Sequence, residues 1–161
     1  MASVSNDPCA IARSLDVLGQ RWTFLILREA STGTSRFSDF RAALGVAPDV
    51  LAERLNTLVE YGVMEKVPYQ EPGARMRASY VLTPSGSELS VALAALQQWG
   101  DEHLPWPAGP SVLRRVKGTD RPVHVGFVDN RGRKVSPDNV EFVITPAHPK
   151  YKALYSSKEK P

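Results

Sequence analysis

The side chains that could take part in catalysis or metal binding are few and widely separated. Cys9 is the single cysteine, and the three histidines, His103, His124 and His148, are scattered along the chain. No nucleophile stands near a histidine and an acid in a recognised pattern, and no glycine-rich loop could cradle phosphate. A structural zinc site needs several thiolates or clustered imidazoles. We therefore expect no enzymatic activity, no metal and no cofactor.

Four arginines are the side chains best suited to binding phosphate. They are Arg36, Arg54, Arg75 and Arg77. The planar guanidinium binds phosphate through two parallel hydrogen bonds and fits a narrow minor groove. The alternative for Arg36 and Arg54 is an ion pair with a nearby carboxylate such as Asp39 or Asp49.

The spacing of apolar residues, caps and turn residues places these arginines around a helix-turn-helix. A short third helix ends at Gly45, and Pro48 opens a fourth helix that lasts until Gly62. The first helix is predicted from residue 8 to 18, with Asp7 as its cap, and the second from 22 to 30. The third helix is capped by Ser35, and the fourth runs from 48 to 61. Strands are predicted over 63–67 and 78–82, followed by a last helix that is capped by Thr83 and ends before Gly100.

The fourth helix is amphipathic. Its buried stripe is predicted to consist of Leu51, Leu55, Leu58 and Val59. At 100° per residue, the opposite and wet face carries Asp49, Glu53, Asn56 and Glu60.

An ordered set of segments covers residues 8–103 and consists of Cys9, LDVLGQRW at 15–22, RFSDF at 36–40, LAERL at 51–55, Gly62-Val63 and YVLTPSG at 80–86. This set resembles the HxlR family of bacterial winged-helix transcription regulators. The resemblance implies a mainly α fold with a β-hairpin wing, which is a winged helix-turn-helix. It also implies a homodimer on a roughly palindromic operator in double-stranded DNA, with the fourth helix in the major groove and the wing along the backbone or minor groove.

The residues expected at the DNA follow from that placement and from the arginine chemistry. They are Arg36, Pro48, Asp49, Ala52, Glu53, Arg54, Asn56, Arg75 and Arg77. The family often has serine where Ala47 stands and a polar or basic residue where Asp49 stands, so base readout is expected to differ here. Glu53 or Asp49 could accept a hydrogen bond from cytosine, or either could simply face solvent or cap the helix.

The first and last helices carry more apolar surface than a monomeric core of this size requires. We assign part of Ile11, Leu15, Leu93, Leu96 and Trp99 to a dimer interface, and the alternative is a purely intramolecular core. Two half-sites about 34–36 Å apart would raise affinity and specificity together.

Two kinds of signal are compatible with the sequence, and a regulator without an effector is a third alternative. Cys9 lies in the predicted first turn of a helix, where the dipole stabilises a thiolate, so it could sense oxidants or electrophiles. Alternatively it is a small apolar residue. A small aromatic or apolar metabolite could instead bind between Trp22, Phe24 and Trp99, although aromatic residues at helical spacing usually belong to the core.

Composition divides the chain at residue 105. The 161 residues carry a net charge of +3, yet residues 1–104 hold 9 Lys+Arg against 12 Asp+Glu and residues 105–161 hold 11 against 5. Eight of the 13 prolines follow residue 104. We predict a DNA-binding and dimerisation domain over 1–104 and a proline-rich basic extension over 105–161, with a small β-appendage and a disordered end from Tyr151.

The extension has two interpretations. Strands are predicted around Val123 to Val128 and over Val140 to Ile144, with a turn at Asp129 to Gly132. The basic charge could attract DNA beside the operator, or the extension could be a solvated β-structure packed on the dimer.

The leading hypothesis is a cytoplasmic DNA-binding regulator, and a repressor, since a dimer on a promoter most simply blocks polymerase. No apolar run is long enough for a membrane helix, the opening residues 1–7 are polar, and one cysteine fits a reducing compartment. The alternative is a winged-helix module that binds protein rather than DNA, which the acidic balance of residues 1–104 motivates.

Overall fold

A computed structural model describes residues 6–73, 75–148 and 150–151. The helices are α1 (Ala10–Leu18), α2 (Arg21–Ser31), α3 (Phe37–Leu44), α4 (Pro48–Glu60), α5 (Pro84–Glu88) and α6 (Ser90–His103), and the strands are β1 (Met64–Tyr69), β2 (Arg77–Leu82), β3 (Phe127–Val128) and β4 (Lys134–Val135). The fold is mainly helical with a β wing, as the sequence predicted.

The described residues form two compact units that divide between Ser90 and Val91. The first contains α1 to α5 and the β1–β2 hairpin, together with residues 147–148 and 150. The second contains Val91–Pro146 and Tyr151. The functional boundary at residue 105 stays a prediction, and the predicted disorder over 151–161 falls, beyond Tyr151, outside the described residues.

The core of the first unit forms where α2, α3 and α4 meet the start of β1. Its buried apolar residues are Ile26, Leu27, Phe40, Val46, Leu51, Leu55, Leu58, Val63 and Met64. Three of them recur on α4 at intervals of three and four residues, which places one face of that helix in the core. The prediction for Leu51, Leu55 and Leu58 is confirmed, whereas Val59 is only half-buried.

The β1–β2 hairpin is antiparallel, and it continues into the residues before α3. Met64 pairs with Leu82 and Tyr69 with Arg77. The Ser35 carbonyl accepts the Tyr80 N–H at 2.7 Å, and Arg36 bridges Ser79. The prediction that Ser35 caps α3 is therefore wrong, because its backbone is paired with β2 and Arg36 occupies the cap position.

The predicted first and last helices also differ from the structure in their bounds. Helix α1 begins at Ala10 because the Asp7 Oδ1 accepts the backbone N–H of Cys9 at 2.7 Å, which forms a turn ahead of the helix. The predicted last helix is divided at Leu89 into α5 and α6, and α6 continues past its predicted end at Gly100 to His103. Thr83 caps α5 as predicted, since its Oγ1 accepts the Gly86 N–H at 3.1 Å.

The second unit joins α6 to a small β-structure. Strand β3 is shorter than predicted, because only Phe127 and Val128 pair with β4. The turn between them is the predicted one, but residues 140–144 form no strand. No helix of the described residues has both the length and the apolar character needed to cross a bilayer.

Candidate nucleic-acid interface

A turn of three residues sets the direction of α4 relative to α3. Gly45 ends α3 with φ +62, a left-handed conformation that glycine adopts without steric cost. Val46 is buried in the core, and Pro48 occupies the first turn of α4, where its missing N–H costs nothing. This arrangement fixes one face of α4 inward and leaves its N-terminal turns outside.

The outward face of α4 carries most of the residues predicted to contact DNA. Pro48, Asp49, Glu53 and Asn56 are exposed, and Ala52 is half-buried. The N-terminal turn also presents free backbone N–H groups, which favour phosphate. The N-terminal part of this face is therefore polar, with carboxylates at Asp49 and Glu53.

Arg54 is less available than the sequence suggested. Its side chain is 18% exposed, and its Nη2 forms an ion pair with the Glu53 carboxylate, which is 66% exposed. The charge of Arg54 is thus partly balanced by its neighbour, and the ion-pair alternative holds in this structure with Glu53 as the partner.

Arg36 also has a carboxylate partner, which lies in the loop between β1 and β2 rather than on α3. Its Nη1 lies 2.7 Å from the Glu71 Oε1, and its guanidinium lies 4.9 Å from the ring centroid of Tyr69. Both ion-pairing side chains are 47% exposed. Arg36 therefore links the start of α3 to the outer end of the wing.

The wing offers two further arginines. Arg75 and Arg77 are exposed, and no side-chain partner for either is found within the described part of the chain. They lie close to the tip, where Gly73 turns the chain with φ +75. These two arginines are the wing cations most available to phosphate.

Sequence reasoning missed one cation that belongs to this surface. The Lys66 Nζ on β1 donates to the Asn56 Oδ1 on α4 at 2.9 Å and lies 5.7 Å from the Tyr80 ring. Partial burial raises the pKa of the Tyr80 hydroxyl, which stays neutral beside the ammonium. No local sequence signal linked Lys66 to Asn56, because only the packing of the hairpin on α4 brings the two side chains together.

Residues 17–107 match the model of the HxlR-like helix-turn-helix family, which is more than half of the 161 residues. The chain belongs to the HxlR-like helix-turn-helix family. This agrees with the resemblance that the sequence motifs indicated.

Relatives of this HxlR-like chain are named as regulators. Rv3095 of Mycobacterium tuberculosis strain H37Rv, an uncharacterised HTH-type transcriptional regulator, is 43% identical over 106 residues, and the match spans 66% of each protein. YtfH of Escherichia coli K12, also an uncharacterised HTH-type transcriptional regulator, is 35% identical over 100 residues, which are 62% of this chain and 78% of YtfH. The chain thus spans just under two thirds of the length of the mycobacterial relative.

A solved structure shares more than the helix-turn-helix. PA1607, described as a candidate transcription factor, has a TM-score of 0.72 and 34% identity, covering 84% of this chain and 94% of PA1607. Residues 1–104 are less than two thirds of the chain, so this alignment extends into the C-terminal residues. PA1607 therefore shares part of the extension of this HxlR-like chain.

The apolar residues predicted at a dimer interface are largely exposed in the single chain. Ile11 and Leu15 on α1 are 71% and 53% exposed, and Leu96 and Trp99 on α6 are each 54% exposed. Leu93 is half-buried. Neither α1 nor α6 contains a fully buried residue. Within each unit, these helices keep apolar surface in water.

Cys9 and the three aromatic residues belong to the two candidate signal sites that the sequence suggested. Cys9 is exposed at the N-cap of α1 rather than inside its first turn. Trp22 and Phe24 are half-buried on α2 in the first unit, and Trp99, on α6, belongs to the second. The proposed pocket between them stays a prediction.

The first unit contains a cavity of about 370 Å³ that the sequence did not indicate. None of the three aromatic residues lines it. Its lining comes from α1, from the turn between α4 and β1, and from α5 and the residue after it, and consists of Ala10, Arg13, Ser14, Val17, Leu18, Tyr61, Val63, Ser85 and Leu89. Residues of three separated segments form it, so no local sequence pattern could have revealed it.

Proposed function

We propose that this chain is a dimeric, sequence-specific DNA-binding transcription regulator that places α4 in the major groove and the β1–β2 wing on the backbone or minor groove. The observation that carries the proposal is the outward face of α4 beside a wing with two available arginines, in a chain of the HxlR-like family. Membership of that family and the naming of its relatives as transcriptional regulators support it.

The proposed contacts divide into two groups. Pro48, Asp49, Ala52, Glu53 and Asn56 face base edges, where the carboxylates would accept hydrogen bonds from cytosine amino groups. The remaining four residues, Arg36, Arg54, Arg75 and Arg77, bind phosphate and fix the register of the protein on the duplex. Repression follows if the bound dimer covers a promoter.

Binding to selected genomic DNA tests this function. Fragments retained by the full chain would be sequenced, and the Kd of a retained fragment measured by fluorescence anisotropy at several salt concentrations. Arg77→Ala should lower the slope of log Kd against log salt by about 0.9, as expected for one lost phosphate contact. Arg28→Ala is the matched control, because Arg28 lies on α2 and pairs with Glu29.

The dimer is proposed from the exposed apolar residues of α1 and α6. Sedimentation should give a dimer for the native chain and a monomer for Trp99→Glu. Val128→Glu places the same charge at a position that is 65% exposed on β3, and it should leave the dimer intact. A native chain that sediments as a monomer at micromolar concentration would contradict the dimer.

A redox signal is proposed at Cys9, because its thiol is exposed at the start of a helix that also carries Ile11 and Leu15. Treatment with diamide should weaken binding of the native protein to its operator. Cys9→Ser should abolish that response, and an unchanged response would exclude the role. A small aromatic ligand between Trp22, Phe24 and Trp99 is the alternative signal, and quenching of tryptophan fluorescence on titration would report it.

The second candidate function is a winged-helix module that binds protein. The ion pairs of Arg36 with Glu71 and of Arg54 with Glu53 favour it, since both reduce the charge available to phosphate. A full chain that retains no genomic fragment even at low salt would favour this candidate over the regulator.

A further inference from the structure

The helix-turn-helix part of the chain has little positive charge to offer DNA. Residues 1–104 carry three more acidic than basic residues. Two of the predicted phosphate-binding arginines, Arg36 and Arg54, are paired with carboxylates. Non-specific affinity for DNA comes mainly from cations that displace counterions from phosphates. Under the proposed function, cations elsewhere in the chain would therefore supply part of that affinity.

The cations are concentrated in one short segment of the second unit. Residues 113–134 hold 7 Lys+Arg against 2 Asp+Glu. The segment consists of two consecutive turns, and we call it the basic double turn.

Backbone hydrogen bonds hold both turns in shape. In the first turn, the Val116 N–H donates to the Arg121 carbonyl at 2.9 Å, and Arg115 bridges Pro122. In the second, the Asp129 Oδ1 accepts the backbone N–H of Arg131 and of Arg133 at 2.9 and 3.0 Å. The cations of the segment thus project from an ordered backbone.

The basic double turn is also tied to α6. The Gln98 side chain donates to the Val125 carbonyl at 3.1 Å and accepts the Val125 N–H at 2.9 Å. Asp101 lies 3.7 Å from Arg114, whose side chain is only 20% exposed. Polar residues of α6 therefore face the extension, whereas Leu96 and Trp99 of the same helix stay exposed.

Four cations of the segment are available for binding. Arg115 pairs with Asp120, and Arg133 pairs with Asp129. The other exposed cations have no side-chain partner among the described residues, and they are Lys117, Arg121, Arg131 and Lys134.

We infer that the basic double turn is a second DNA-binding surface, which holds the phosphate backbone of duplex DNA beside the operator without reading its sequence. The inference rests on the proposed function. Under the proposed function, duplex DNA is the polyanion that the chain binds, and its phosphates are complementary to these four cations. Phosphate contacts from an ordered backbone would also fix the position of the protein along the duplex.

The test compares two variants with the same loss of charge. In the first, Lys117, Arg121, Arg131 and Lys134 are all replaced by glutamine. In the control, the four lysines at positions 150, 152, 158 and 160 are replaced by glutamine, which leaves the basic double turn unchanged. Anisotropy on an operator with long flanking DNA gives Kd against salt for the native chain and for both variants.

The first variant should lose up to about 3.6 in the slope of log Kd against log salt, at about 0.9 for each contact. Its preference for operator over scrambled DNA should be unchanged, because no base contact is removed. An unchanged slope, or an equal loss in the control, would overturn the inference while leaving the proposed function intact. Failure of the native chain to bind any DNA would overturn both. Thermal unfolding of each variant, with a Tm equal to that of the native chain, shows that the variants are folded.

Discussion

Replacing Gly86 by alanine tests how α5 is packed against Val63, which lies between α4 and β1. Gly86 is buried, and a Cβ added to it would lie 2.0 Å from the carbonyl oxygen of Val63 and 3.3 Å from the Leu82 Cδ2. Backbone oxygen cannot move aside as a flexible side chain can. Helix α5 would therefore have to shift by more than about 1 Å to restore ordinary contact.

That shift would disturb the hydrogen bonds that Thr83 makes. Its Oγ1 donates to the Gly62 carbonyl at 2.6 Å, and its N–H donates to the Val63 carbonyl at 3.1 Å. Overpacking costs about 1–3 kcal/mol, and each weakened hydrogen bond costs about 1 kcal/mol. We expect Gly86→Ala to lower the free energy of unfolding by about 2–4 kcal/mol.

Thermal unfolding followed by circular dichroism measures the effect, with Gly100→Ala as the matched control. Gly100 lies in α6 with nothing within 4 Å of an added Cβ. Alanine there should stabilise the helix by about 0.5–1 kcal/mol. A loss of 3 kcal/mol should lower Tm by about 6–12 °C for a chain of this size. A Gly86→Ala protein as stable as the native one would refute the close packing of α5 on Val63.

Three further changes follow from the contacts described above. Thr83→Val keeps the shape of the side chain but removes the cap and the bond to Gly62, so chemical denaturation should show a loss of about 1–2 kcal/mol; an unchanged midpoint would argue against the cap. Glu71→Gln removes the ion-pair partner of Arg36 and should tighten DNA binding at low salt while steepening the salt dependence by about 0.9; weaker binding would mean that the pair positions the wing. Hydrogen bonds from the Arg133 backbone and side chain lower the pKa of Asp129. The turn that Asp129 closes should therefore be stable at neutral pH and should open as the pH falls through that lowered pKa. An NMR titration of the Arg133 amide signal with a midpoint at or above the ordinary carboxyl value of about 3.9 would contradict this.

The sequence was sufficient for the elements whose signals are local. Gly45 and Pro48 predict where α3 ends and α4 begins, and the Thr83 cap is found as expected. The buried positions of α4 could be read from apolar spacing. Each of these signals involves residues within about one or two helical turns of one another, so backbone geometry alone connects the pattern with the structure.

Partners that are distant in the chain required the tertiary structure. Arg36 pairs with Glu71, which is 35 residues away, rather than with nearby Asp39. The bond from Lys66 to Asn56 and the cavity beneath α1 likewise form only when the hairpin and α5 pack on the core. Side-chain pairing depends on which surfaces approach one another in space, and sequence spacing carries no information about that approach. The sequence therefore determined the kind of fold and its winged helix-turn-helix elements, whereas only packing decided which arginines remain available to phosphate.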